Sequence, residues 1–430
     1  MKVLLIIISI ILLSLYSTFL ILSDNNFTTL AQQDLQTIKY RNIVLDLGNG
    51  VKTNAQLTIP AVGNGPFPGV LLLHGSGAYD KNETAGYIRI DNETGLKIYP
   101  DARPFFQIAE YLSERGFAVL RYDKRGVGEN YTILDTNIWG NTTTNDLILD
   151  SKKALNFLIQ QPEVDPKRIN IIGHSEGTLY APRVAIDNST NVKNIILMGV
   201  LALNPVKVLF YYQAVSLPLE YASQVLDKNQ TGSISIQQIA NDPLLRQLLV
   251  PSSVMHTNNT EAITNTLAKD FDTSGYISIE KQLKPLLVKG YKNITAFNLL
   301  KCNKNDICPI LWRSLGNMIP NLSIIGNVSK STGILILNGK NDSQTPVQQA
   351  FLLQQRLTDV NHPDHTLITY PDLGHAFYFS SPWSTGIGPI PQYVLADIYA
   401  WLESHNGFTP LMTTFSSSSY YTSNTTKINN

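Results

Sequence analysis

Two cysteines in 430 residues, and no surplus of charge with 33 basic against 33 acidic side chains, are what this sequence has least of. Balanced charge argues against nucleic acid as the main partner. Apolar runs of membrane-spanning length are equally scarce, and the one present lies at the start, in residues 3–22 behind Lys2. It is long enough to cross a bilayer as a helix and longer than a usual signal h-region, so it targets the chain for export. Thr29-Leu30-Ala31 is a triplet that a signal peptidase accepts, but its distance from the apolar run favours an uncleaved anchor. Residues 1–31 therefore read as a signal peptide or a membrane anchor, which places the chain outside the cell or on the outer face of the cytoplasmic membrane. In an exported chain Cys302 and Cys308, separated by a loop-like stretch, are expected to pair as a disulfide, the alternative being a reduced couple. With no third or fourth ligand nearby they do not form a metal centre. Thirteen Asn-x-Ser/Thr sequons, from Asn26 to Asn424, suit the same exterior location.

What is present is an alternation. Residues 42–47 and 51–59 read as strands around Gly48-Asn49-Gly50, whose glycines allow the positive φ of a hairpin turn. Short apolar strands then alternate with amphipathic helices: strand 69–73, helix 105–115, strand 117–122, helix 145–160, strand 168–172, helix 176–187 and strand 194–198. After an insertion come strand 334–337, helix 347–357, strand 366–370 and a helix around 393–403. Fully apolar strands separated by helices imply an α/β fold with a mostly parallel, doubly wound sheet covered on both faces. The expected plan is a core in two parts, 40–203 and 332–405, split by a helical cap at 204–331. A Ser/Thr-rich tail at 406–430 is expected to be disordered.

The segment Gly173-His174-Ser175-Glu176-Gly177 sits between an apolar strand and a helix. A hydroxyl nucleophile on a sharp strand-to-helix turn needs small neighbours, and the helix N-terminus favours developing negative charge. An isolated motif of this kind would read equally well as a helix N-cap serine. Three further features favour the nucleophile. His375, in Pro371-Asp372-Leu373-Gly374-His375 after the 366–370 strand, is placed to be the base that takes the Ser175 proton. Asp342, after the 334–337 strand, is placed to hold the imidazole tautomer, with Asp364 and Asp372 as decoys. His74-Gly75-Ser76-Gly77, directly after the 69–73 strand, offers a backbone N–H from Ser76 to a developing oxyanion, with Gly77 as fallback, and the N–H of Glu176 offers a second. The sequon at Asn341 is expected to be unused, because a glycan there would crowd Asp342.

At these residues the chain resembles the α/β-hydrolase superfamily, over about residues 40–405 apart from the insertion. It is similar in particular to the esterase-like group related to dienelactone hydrolases and acyl-thioester hydrolases, through Leu72-Leu73-His74-Gly75-Ser76-Gly77, Leu120-Arg121-Tyr122-Asp123-Lys124-Arg125-Gly126-Val127-Gly128 and the elbow itself. Dienelactone hydrolases proper use cysteine where this chain has Ser175. The resemblance implies hydrolysis of a small-molecule carboxylic ester or thioester through an acyl-enzyme, with no cofactor required for catalysis. The 121–128 segment has a structural reading, orienting elbow and oxyanion loop, and a binding one; Arg125 has Asp123 and Glu176 as candidate partners.

The insertion follows the sixth core strand, where this fold commonly carries a cap. It contains two segments of EF-hand character, beginning at Asp227 and Asp270. Oxygen ligands fall at loop positions one, three, five and nine: Asp227, Asn229, Thr231 and Ser235, then Asp270, Asp272, Ser274 and Ser278. Glycine stands at six and isoleucine at eight in both. Position twelve departs, with Gln238 in the first loop and Lys281 in the second, so the expectation is weakly bound calcium or a helix-loop-helix that has lost its metal. A catalytically silent surface protein with a calcium- or partner-binding cap and an aminopeptidase or acyl-peptide hydrolase are the competing functional readings.

Overall fold

In the computed structural model, residues 37–407 are described except for 92–94, 131, 189, 250–274, 297–308, 385 and 387. The apolar segment 3–22, Ala31, Cys302, Cys308, Asp270, Asp272, Ser274 and the tail beyond 407 lie outside the described residues. Among the described residues no helix is long and apolar enough to cross a membrane.

Strands β1 (Ile38–Gly48) and β2 (Val51–Pro60) form an antiparallel hairpin with Gly48 opposite Val51. Its turn needs left-handed backbone at Gly48, Asn49 and Gly50, with φ of 78°, 53° and 78°. The chain then runs through β3 (Phe67–Leu73), a hairpin of β4 (Ala85–Asp91) and β5 (Gly95–Ala102), α1 (Pro104–Ser113), β6 (Ala118–Tyr122), α2 (Thr144–Ile159), β7 (Val164–His174), α3 (Gly177–Asp187) and β8 (Val192–Met198). The β4–β5 hairpin is absent from the sequence expectation: residues 91–95 carry turn chemistry that reads as loop, and its strands pair with each other outside the main sheet.

In the cap, β9 (Ser233–Ser235) pairs antiparallel with β10 (Tyr276–Ser278). The core resumes with β11 (Gly333–Gly339), α4 (Gln348–Asp359), β12 (His365–Tyr370) and α5 (Gln392–Asn406). The main sheet has the order β1-β2-β6-β3-β7-β8-β11-β12. From β6 to β12 all neighbours are parallel, while β2 joins β6 antiparallel.

Alternate side chains of these strands face opposite layers. Leu71, Ile171, Ile195 and Ile336 enter a core beneath α2 and α3, whereas Leu72, Ile172, Ile196 and Leu335 enter a second one beneath α1 and α5. Burial on both faces accounts for the unbroken apolar runs in the sequence. The cap has a core of its own, including Phe210, Leu217, Ile234, Ile239, Ile277 and Leu283. It opens on helical turns of π type, Pro205–Phe210 and Tyr212–Ser216. Parallel strands bring the loops after β3, β7, β8, β11 and β12 to one edge of the sheet, where the candidate residues stand.

Candidate active site

Between the end of β7 and the start of α3 the chain reverses through Ser175 and Glu176. Ser175 has φ of 51°, a left-handed conformation that disfavours a side chain, and its N–H donates to Met198 O at 2.8 Å. The flanking glycines are sterically required. A Cβ at Gly173 would stand 2.4 Å from Gly177 O, and one at Gly177 would stand 2.0 Å from Leu73 O.

The loop after β12 carries His375 and the loop after β11 carries Asp342, and the structure brings them into contact. His375 Nδ1 lies 2.9 Å from Asp342 Oδ2 and 3.1 Å from Oδ1. Both residues are buried. The carboxylate is held from the other side by the N–H groups of Gln344 and Thr345, which donate to Oδ1 at 2.9 and 2.8 Å, and by the Thr345 hydroxyl, which donates to Oδ2 at 2.7 Å. With Asp342 accepting this many bonds, Nδ1 carries the proton and Nε2 is left as the basic nitrogen.

Met198 O anchors the Ser175 amide, and the next residue, Gly199, approaches the imidazole so closely that a Cβ there would lie 3.1 Å from His375 Cε1. Ser175 and His375 therefore flank the end of one strand. Among the described residues no hydrogen bond joins Ser175 Oγ to the ring, a looseness common in ligand-free hydrolytic sites. Asn341 turns inward and donates from Nδ2 to Ser380 O at 2.7 Å. The decoys are engaged elsewhere: Asp364 meets His405, and Asp372 gives its carbonyl to Ser380 N–H.

Ser76 and Glu176 flank this centre from the β3 and β7 sides. Neither backbone N–H donates to an acceptor among the described residues, which leaves both free for an oxyanion. Lys124 ties their loops together, donating from Nζ to Gly75 O and to Glu176 Oε1, the latter at 3.0 Å. Of the two partners expected for Arg125, it takes neither. Its guanidinium bonds Asp150 in bidentate fashion at 2.6 and 2.7 Å and also reaches Asp146, because α2 presents two carboxylates one turn apart to it.

A second histidine lies beside the first. His174, immediately before the nucleophile, has Nδ1 2.9 Å from Glu83 Oε1 and Nε2 3.1 Å from His375 O. Burial disfavours the charged ring, but the Glu83 carboxylate outweighs it by charge and hydrogen bond and holds the imidazole pKa above its ordinary value. Thr345, Glu83 and His174 were beyond the reach of sequence reasoning, whereas Lys124 belongs to the 121–128 segment whose structural reading already pointed to the elbow and the loop after β3. The Thr345–His375 and Glu83–His174 contacts join residues 30 and 91 positions apart, and only the position of His174 inside the elbow hinted at a role.

In the cap, Ile234 and Ile277, at position eight of the two EF-hand-like segments, are opposite each other in the β9–β10 pair. In the first loop Asp227 accepts the N–H groups of Thr231 and Gly232. Ser235 and Gln238 form a reciprocal helix cap at 3.0 and 2.8 Å, so positions nine and twelve bond each other. Asn229 stays at the loop surface. Ser278, at position nine of the second loop, caps the turn beginning at Ile279, with its Oγ accepting from Lys281 N–H. No group of three or more His, Cys, Asp or Glu side chains suited to a metal occurs among the described residues.

A family model described as the alpha/beta hydrolase fold matches residues 68–382. Esterase EstD of Thermotoga maritima is 35% identical over 130 residues, 30% of this chain and 26% of the relative. A Bacillus subtilis protein named "Putative hydrolase YtaP" is 30% identical over 146 residues, 32% of this chain and 46% of the relative. The chain thus spans less than half the length of either curated relative. Among solved structures, a hypothetical protein from Pseudomonas aeruginosa superposes with a TM-score of 0.48 at 15% identity, covering 86% of this chain and 94% of the other.

Proposed function

The chain belongs to the α/β-hydrolase fold family, and on that premise we propose that it is a serine hydrolase cleaving carboxylic esters, thioesters included, through an acyl-enzyme on Ser175. The observation that carries the reading is the His375–Asp342 hydrogen bond at 2.9 Å, set beside the strand end that anchors the left-handed Ser175. The likeness of part of the chain to a protein named as an esterase favours esters over amides.

Ser175 Oγ attacks the acyl carbon as His375 Nε2 takes its proton, forming the Oγ–C bond and moving the carbonyl π electrons to oxygen. Asp342 stabilises the imidazolium so formed and keeps its Nδ1–H aimed. The N–H groups of Ser76 and Glu176 receive the oxyanion, the second of them at the N-terminus of α3. Collapse of the intermediate breaks the bond to the alcohol or thiol, which leaves with the His375 proton. Water, deprotonated by the same Nε2, then attacks the acyl-enzyme and releases the acid and Ser175. No cofactor takes part in these steps.

The apolar segment 3–22 supports work outside the cell or at its outer membrane face. The cap is read as structure that screens the nucleophile, with at most weak calcium binding at its first loop. Labelling with a fluorophosphonate and turnover of nitrophenyl esters of graded chain length test the reading. Wild type is expected to be labelled and active, and Ser175→Ala neither; equal labelling of the two proteins refutes the assignment.

A further inference from the structure

Buried ionisable groups that the reaction does not use lie beneath this site, and one pair among them touches three of its loops. Glu83 stands in the loop between β3 and β4 with φ of 50°, a strained conformation for a side chain, and is 2% exposed. One of its oxygens, Oε1, accepts both the Gly75 N–H and the His174 Nδ1 proton. The other, Oε2, is buried with no partner. From the far side of the imidazole, Nε2 donates to the backbone carbonyl of His375 at 3.1 Å. A carbonyl only accepts, so Nε2 is protonated.

We infer that Glu83 and His174 are positioning residues: a buried, proton-sharing brace that locks the oxyanion loop at Gly75, the elbow at His174 and the His375 loop into register. The inference rests on the serine-hydrolase reading above, and it assigns no contact with substrate to either residue. The three loops come from three strands and share no other side-chain pair that touches all of them among the described residues.

The brace works only while Nδ1 and Oε1 hold a proton between them. If either ring proton is lost, a nitrogen lone pair faces an oxygen acceptor, Glu83 Oε1 or His375 O, and the link between Gly75 and His375 opens. The groups facing His174 are Glu83 and Asp342, which favour its charged form, and the rings of His74 and His375, with Lys124 beyond His74. The imidazole pKa lies above its ordinary value, so the intact brace is present below that raised pKa and is lost as pH rises through it. Glutamine at 83 does not replace the carboxylate, since one amide oxygen cannot take Gly75 N–H and also restrain a neutral ring whose only proton is on Nε2.

The test uses the full chain and a nitrophenyl ester that Ser175 turns over. Glu83→Gln and His174→Gln are each expected to lower kcat about 10²-fold with KM changed less than about threefold, the scale of a small misplacement of reacting groups. The double variant should be no slower than the slower single, and Glu83→Asp should recover part of the rate. Thermal melting of each variant separates positioning from folding. Should the variants fail to fold, wild type decides: its kcat should fall on the alkaline side before unfolding begins. Near-normal kcat in folded single variants, or additive losses in the double, overturns the brace; so does a level alkaline kcat in wild type. Activity retained by Ser175→Ala would instead overturn the underlying serine-hydrolase reading, and the two failures are thereby distinct.

Discussion

Lys124 joins two pieces of the site through a charge that water barely reaches. Its side chain is 4% exposed and that of Glu176, its partner, 0%. Such a pair is weak evidence for net stabilisation, because desolvation offsets much of the attraction, but breaking it leaves an uncompensated buried charge. Lys124→Met is therefore expected to destabilise the fold by about 3–5 kcal/mol, measured by urea unfolding. It should also slow turnover, since the Gly75 carbonyl loses its donor and the oxyanion loop its tie to the elbow. Adding Glu176→Gln should restore much of the stability and little of the rate. A loss below ~1 kcal/mol in the single variant would mean that water or another cation reaches Glu176 and that the pair is not buried as described.

At the scale of elements, the strands and helices of the core were legible because their signals are local. An apolar run bounded by turn residues fixes a buried parallel strand, and Gly173 and Gly177 mark a turn where a Cβ has no room. Strand order alone singled out Asp342 and His375, and the structure places the two in contact. The β4–β5 hairpin was not legible, since its strands are stabilised by one another and interrupted by polar turn chemistry. The cap lies between these cases. Its first EF-hand-like segment keeps the turn and the β9–β10 bridge, yet Gln238 Oε1 is already occupied by Ser235 N–H and its Nε2 by Leu226 O. A neutral amide in place of a bidentate carboxylate removes the strongest ligand of such a loop. Calcium up to millimolar concentration should therefore shift the melting temperature by no more than a degree or two, roughly the effect of a ligand near its Kd. Replacing Gln238 by glutamate should enlarge the shift, and a large shift already in wild type would show that other oxygens close the site.

For the molecule as a whole, a sheet that gathers the loops after its parallel strands at one edge also gathers histidines there, and their environments push them in opposite directions. The carboxylate of Glu83 holds the His174 pKa above its ordinary value, whereas His74 is kept neutral. Burial between the rings of Phe105 and Tyr122, each 5.3 Å away, together with the charge of Lys124, lowers the His74 pKa to about 3. Its Nε2 has no hydrogen-bond partner and sits out of reach of water. In the unfolded chain the ring titrates near 6.5, so between that value and about 3 the unfolded state binds the extra proton. The stability from a neutral His74 is fully present above pH ~6.5 and is lost as pH falls towards 3. Asp123 and Asp150, whose carboxyls burial pushes up, oppose this: they favour the fold at low pH and lose that advantage as pH rises through their folded values. The raised pKa of His174 acts in the same direction as theirs, so the contribution of His74 is isolated by comparing wild type with a His74 variant. From pH 7 to pH 4.5 the stability of wild type to urea should accordingly change less favourably than that of His74→Gln, by roughly 1–3 kcal/mol. Parallel acid profiles for the two proteins would show that the buried imidazole finds a way to protonate without opening the fold.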